Sequence, residues 1–173
     1  MQGVELLGVF VHSFARACVN LQILGTAEID ALLAVPPESW VPGERFASTL
    51  EAIAARFENP APILERVGEE MMALWYDHGP GRGLVNGGVE FLRFQTGSQG
   101  YRSVVRGPEE ALGAFSLEHL DEAAGRARVR STTPFDRTME RGVLIGGMKL
   151  AGDLVYVDVD NSGDPSVYEI RFH

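Results

Sequence analysis

The segment LVYVDVDNSGDPSVYEIRF, Leu154 to Phe172, decides how the chain is read. Inside it, Asp158 to Glu169 fits the calcium-loop pattern of an EF-hand, with Asp158, Asp160 and Ser162 at positions one, three and five, Gly163 at six and Glu169 at twelve. Such a loop needs a helix on each side. Before it, however, Val155, Val157 and Val159 alternate with Tyr156, Asp158 and Asp160. After it, Tyr168, Ile170 and Phe172 alternate with Val167, Glu169 and Arg171. A period of two belongs to a half-buried strand. Pro165 removes a backbone N–H at loop position eight, and only four residues follow Glu169. The run Asn161–Pro165 has the Asn, Gly and Asp that turns favour. The segment is predicted to be a β-hairpin, and calcium is not expected there.

Working back along the chain, Phe115–Phe135 (FSLEHLDEAAGRARVRSTTPF) reads as two antiparallel strands about a turn at Glu122–Gly125, with Ala127 and Val129 alternating against Arg126, Arg128 and Arg130. Asp136 is placed to cap a helix that carries Met139, Val143, Gly147 and Leu150 on one face. Gly142 and Gly146, four residues apart, predict that this helix lies close against a neighbour. The residues before it have helical spacing. Val4, Leu7, Val11, Phe14 and Cys18 form one stripe, and Thr26 is expected to cap AEIDALLA. After the proline-rich connection VPPESWVPGE, Pro42 opens a helix bearing Phe46, Leu50, Ile53 and Phe57. Ile63, Val67, Met71 and Leu74 mark a helix from about Pro60 to Tyr76, and another is expected from about Leu84 to Thr96. Gly87 and Gly88 within the latter are tolerable if another backbone packs there.

The predicted fold class is α+β, in one domain spanning 1–173. A helical half of about 1–112 precedes a hairpin–helix–hairpin half of about 113–173, with an antiparallel sheet of about four strands and helices packed on one face.

Composition narrows the function. The chain has 173 residues, 45% hydrophobic and 23% charged, which is ordinary for a globular protein. A formal charge of −9 repels a phosphate backbone, so nucleic acid is not expected as a partner. Lys149 is the one lysine among 15 basic residues, which removes the usual reagent of P-loop and Schiff-base chemistry. The single cysteine, Cys18, allows no disulfide framework and fits a reducing cytoplasm. The N-terminal segment lacks a basic region before its apolar run, so a secretory signal is not expected. No uncharged apolar run approaches the roughly 18–20 residues of a membrane span.

The motifs of catalysis are near misses. TGSQG (Thr96–Gly100) has Thr where a nucleophile elbow needs Gly, and it follows a predicted helix instead of a strand. His12, His78, His119 and His173 have no partners at metal-ligand spacing. His78 ends a predicted helix beside Trp75 and Tyr76, where it suits a cap facing the helix dipole or, alternatively, a haem ligand. Cys18 reads as a small buried apolar side chain. One constellation remains: Trp75, Tyr76, Phe91, Phe94, Tyr101, Arg102 and Arg106 flank the glycine-rich break at His78–Gly83. These aromatics either line an apolar pocket with a cationic rim, suited to a flat or lipid-like acid, or simply fill the core.

The C-terminal half is similar to the V4R (4-vinyl reductase-like) domain. GRARV (Gly125–Val129), the glycine-containing helix ERGVLIGGMKLAG (Glu140–Gly152) and GDPSVYEIRF (Gly163–Phe172) carry the resemblance. V4R domains are grouped with haem-NO-binding domains and a vesicle-tethering subunit, so the resemblance implies small-molecule sensing, tetrapyrrole metabolism or dimeric scaffolding. The cysteines many V4R domains carry near the closing hairpin are absent, with Val167 and Tyr168 in that region. The Y-x-S-x-R signature with which the haem-NO-binding relatives contact haem propionates has an imperfect counterpart in Tyr101–Arg106, one residue too long, and the surroundings of His78 do not match their proximal histidine segment.

These readings predict a non-catalytic sensor or regulatory module of bacterial type. Its ligand is expected to be hydrophobic or tetrapyrrole-like, with haem as one candidate, contacted by Trp75, Tyr76, His78, Phe91, Phe94, Tyr101, Arg102 and Arg106. The alternative is a ligand-free dimeric interaction scaffold. A cytoplasmic homodimer with a signalling-protein partner is expected.

Overall fold

The computed structural model describes residues 1–173, with every side chain except that of Thr26. The chain begins with β1 (Glu5–Leu7), α1 (Gly8–Asn20), α2 (Thr26–Leu33), β2 (Trp40–Pro42) and α3 (Gly43–Ala54). It continues through α4 (Ala61–His78), α5 (Gly81–Leu84), α6 (Gly88–Thr96), a 3-10 turn (Tyr101–Ser103), β3 (Val105–Arg106) and α7 (Glu109–Leu112). It ends with β4 (Phe115–Asp121), β5 (Arg126–Ser131), α8 (Arg137–Lys149), β6 (Val157–Asp160) and β7 (Val167–Phe172). The α+β class and the helical first half are as the sequence predicts.

The two C-terminal hairpins merge into one antiparallel sheet, ordered β4-β5-β7-β6. Their alternation sorts the side chains. Ala127, Val129, Tyr168, Ile170, Val157 and Val159 are buried on one face, while Arg126, Arg128, Glu169 and Arg171 face outward. Gly125 closes the first hairpin with φ of +60°, and a Cβ there would strike the Phe172 carbonyl. At the edge, β4 carries a bulge between Leu117 and His119, which disfavours edge-to-edge pairing. The flanks of Asp158–Glu169 are strands, as the alternation requires.

α8 lies across the inner face of the sheet. Asp136 caps it, accepting from the N–H groups of Thr138 and Met139 at 2.9 Å each. Its other side meets α4 with almost no side chain between the backbones. A Cβ at Gly142 would overlap the Glu65 carbonyl, one at Gly146 would lie 2.8 Å from the Glu69 Cα, and one at Gly68 of α4 would overlap the Met139 carbonyl. The glycine pair therefore places α8 against α4 as its spacing predicts.

Four expectations need correction. The first helix starts at Gly8, not near Val4: Val4 and Leu6 are buried beside a second antiparallel sheet, ordered β2-β1-β3, in which Leu6 pairs with Val105. Chain reversal at Gly8 is fixed by Gly8 N–H to Ser39 O and Val9 N–H to Pro37 O, both 2.7 Å. Part of the proline-rich connection is strand β2. Gly25, and not Thr26, occupies the N-cap position of α2; the cap role predicted for the Thr26 side chain lies outside the described side chains. The helix expected over Leu84–Thr96 is broken, because Gly88 N–H turns to Asp153, 3.1 Å away, and α6 starts there. Among the described residues no helix is long and apolar enough to cross a membrane.

Gly142→Val is expected to lower unfolding free energy by about 2–3 kcal/mol, as overpacking does. Gly83→Ala, whose Cβ would meet nothing within 4 Å, should stay within about 0.5 kcal/mol of wild type. Urea midpoints at unchanged m-value check both, and equal midpoints would refute the close-contact account.

A candidate ligand cavity

The layers do not close completely. Between α1 on one side and α4, α6 and α8 on the other lies a cavity of about 320 Å³, at the small end of ligand pockets. α4 contributes the adjacent Met71 and Met72 and, one helical turn on, Trp75; α6 contributes Phe91, Phe94 and Gln95. α8 supplies Met139, Glu140 and Val143, and α1 supplies Val9, Phe10 and Ser13. Tyr101, Phe115 and Phe135 complete the inner wall. At the mouth Val9 and Leu84 remain 43% exposed, unusual for residues whose neighbours are core.

The rings fall into two groups. Trp75 packs against Phe94 (5.2 Å between centroids) and Phe91 (6.2 Å). Phe135 packs against Phe10 (5.4 Å) and Tyr101 (5.9 Å), and Tyr101 against Phe115 (6.2 Å). Among the described residues no ring pair joins the groups. Behind Phe91 stands Gly147 of α8, where a Cβ would collide with the ring.

Besides serine, glutamine and tyrosine groups, the wall carries one buried carboxylate. Glu140 is 4% exposed and accepts from Ser131 Oγ at 3.0 Å, from Thr133 Oγ1 and from Arg137 Nη1 at 2.8 Å, while the Tyr168 hydroxyl lies 2.8 Å from its Oε2. Arg137 also reaches Ser131 Oγ (2.8 Å) and the Thr133 carbonyl (2.9 Å). Burial raises the Glu140 pKa against the pull of Thr133, Arg137 and Tyr168. Burial likewise keeps the Tyr101 phenol protonated; it donates to the Leu112 carbonyl at 2.5 Å. Cys18 lies outside the cavity, fully buried, its thiol pushed up to about 12 by burial.

Of the residues singled out in the sequence, Trp75, Phe91, Phe94 and Tyr101 line the cavity. Tyr76 lies outside it with the Arg82 guanidinium over its ring at 5.1 Å, and His78 is exposed at the end of α4. Arg102 pairs with Glu109, and its Nη1 is buried without a partner. Arg106 donates to Glu5 at 2.7 Å and covers Trp40 at 4.6 Å. A cationic rim is therefore not formed: among the described residues, no Arg, Lys or His lines the cavity. Sequence reasoning missed Glu140, Phe115 and Phe135. The one local hint for Glu140 was Arg137 three residues before it on the same helix.

No family model matches the chain, and no curated protein does. Solved structures do match. An H-NOX protein from S. oneidensis in the Fe(II)NO ligation state aligns over 97% of this chain and 98% of its own at 11% identity and TM-score 0.69. A mutant H-NOX protein from K. algicida in the Fe(II) unliganded state aligns over 97% of each chain at 11% identity and TM-score 0.67. An oxygen-binding H-NOX domain related to soluble guanylate cyclases aligns over 95% of this chain and 93% of its own, at 13% identity and TM-score 0.62. At these identities the likeness establishes the fold. The chain has the fold of these H-NOX domains.

The raised Glu140 pKa has a stability consequence of fixed sign. A group whose folded pKa lies above its unfolded value contributes stability that is present below the unfolded value and lost as pH rises through the folded one. The stability of wild type minus that of Glu140→Gln, which cannot titrate, is expected to grow as pH falls from about 7 to about 5. Urea melts across that range measure it; a difference that shrinks would show that the folded state favours the charged form.

Proposed function

We propose that this chain is a non-catalytic small-molecule-binding module of sensor type, whose ligand occupies the cavity against Trp75, Phe91, Phe94 and Tyr101. The observation that carries the reading is the open apolar cavity itself. Its wall is dominated by buried and half-buried apolar side chains, rings and thioethers among them, that would gain from filling it, since unfilled apolar space forfeits dispersion contacts. A ligand there touches α1, α4, α6 and α8 at once, so its arrival changes how the α1 layer sits on the rest. That is the geometry a sensor needs.

Haem is the group the fold implies, because the solved H-NOX structures are described in Fe(II), Fe(II)NO and oxygen-bound states. The residues present here do not fit it. Haem iron is held by a His nitrogen, a Cys thiolate, a Met thioether or a Tyr phenolate. The lining contains neither His nor Cys, and its tyrosine is a buried, protonated donor to Leu112. Met71, Met72 and Met139 are there, but a thioether ordinarily serves beside a histidine. Of the nearby arginines that could meet propionates, Arg106 and Arg137 are paired with Glu5 and Glu140, and Arg102 is paired with Glu109 through one nitrogen while its buried Nη1 has no partner.

The finer assignment to the V4R branch, the cytoplasmic setting, the homodimer and the signalling partner belong to the same proposal. They rest on the GRARV and GDPSVYEIRF resemblance and on a single, buried cysteine suited to a reducing compartment.

Native mass spectrometry of the purified protein is expected to show one adduct per chain that disappears on denaturation. Ser13→Trp, at a half-buried rim position that needs no core rearrangement, should abolish the adduct while leaving the melting temperature nearly unchanged. An apo protein that also fails to bind any neutral aromatic probe would overturn the reading in favour of the ligand-free scaffold.

A further inference from the structure

Resting on the reading of the cavity as a ligand site, we infer that it selects an uncharged, flat, metal-free apolar molecule, and that Glu140 on its wall is the residue that turns organic acids away. The wall contains one ionisable acid, Glu140, besides the phenol of Tyr101, and no cation among the described residues. A carboxylate or sulfonate entering it would lose its hydration and meet the acid of Glu140, with no guanidinium on the lining to receive it: Arg137 is held by Glu140, Arg106 by Glu5, and Arg102, which pairs with Glu109 and keeps a buried, unpartnered Nη1, lies outside the lining.

A cation fares no better. Both oxygens of Glu140 are already engaged, one by Ser131 and Thr133 and the other by Arg137 and Tyr168, so no lone pair is left for an incoming ammonium. An incoming ammonium would have to displace one of those donors from a charge-assisted bond. A charge of either sign is therefore desolvated without compensation, and a neutral skeleton is not.

Flatness follows from the two ring groups, Trp75–Phe91–Phe94 and Phe10–Phe135–Tyr101–Phe115, which border the same space without touching each other. A planar aromatic or polyene body can lay one face on each. The mouth carries the Gln95 and Gln99 amides, which suit one neutral hydroxyl or carbonyl at the ligand's outer end. The polar hydroxyls of Ser13 and Ser103 are turned to backbone carbonyls, of Val9 (3.1 Å) and Gly100 (2.7 Å).

A matched pair of fluorescent probes tests this: N-phenyl-1-naphthylamine and 8-anilino-1-naphthalenesulfonate share one ring skeleton and differ by a sulfonate. The wild-type protein is expected to bind the neutral probe at least about tenfold more tightly. Ser13→Trp should abolish that binding, which ties it to the cavity. Glu140→Gln, by removing the acid and leaving Arg137 uncompensated, should reduce the preference to about threefold or less. Sulfonate binding as tight as the neutral probe's, with mutual displacement, overturns the inference while leaving the cavity reading intact. So does a haemin titration that displaces the neutral probe and shifts the haem absorption to that of an iron bound by protein. If neither probe binds, the cavity reading itself fails. Should Glu140→Gln not fold, the wild-type ratio decides alone.

Discussion

Two helices can touch backbone to backbone only where side chains are missing, and the contact of α8 with α4 is such a place. Gly68, Gly142 and Gly146 bring the axes close, and the rest of the structure takes its dimensions from that contact. With α8 pressed on α4, its other face reaches the sheet, and Met139, Glu140 and Val143 come to rest on the cavity wall. A bulkier residue in the seam would push α8 toward the sheet, so the same contact sets both core density and cavity shape.

Glu140 shows how a charged residue becomes part of such a core. Burial alone would make it costly, but β5, the segment after it, the first turn of α8 and β7 each direct a donor at it. The network ties the end of the sheet to the start of α8 and leaves the apolar wall with one carboxylate whose hydrogen-bonding capacity is already used. The fold is one that solved H-NOX proteins share, yet the side chains around the cavity differ in kind from an iron site. A fold can persist while its site chemistry changes.

Much of this was legible in the sequence, for physical reasons that also explain what was not. The closing hairpin could be read against the EF-hand pattern because alternation is a local property of the strand. The Asp136 cap and the Gly142–Gly146 spacing are local too. By contrast β1, β2 and β3 span three, three and two residues, too few to display a period; they exist because Leu6 finds Val105 about a hundred residues away. The arginines misled for the same reason. Arg106 reads as a free cation until folding supplies Glu5, and Glu140 reads as a solvated helix residue until folding supplies Tyr168. Trp75, Phe91, Phe94 and Tyr101 were found together because aromatic residues near a glycine-rich break have few places to go. Phe135 and Phe115, embedded in strand and turn patterns, gave no such sign.

The contact of Gly147 with Phe91 gives the cavity an adjustable backstop. The far edge of the ring rests against a residue with no side chain that is not itself in the lining, so the position of that wall is fixed from outside the space it bounds. Chains of this architecture can therefore change bore without changing a single lining residue. A methyl group added at 147 displaces the ring like a turned set-screw and reshapes the cavity, while every chemical contact a guest would meet keeps its identity.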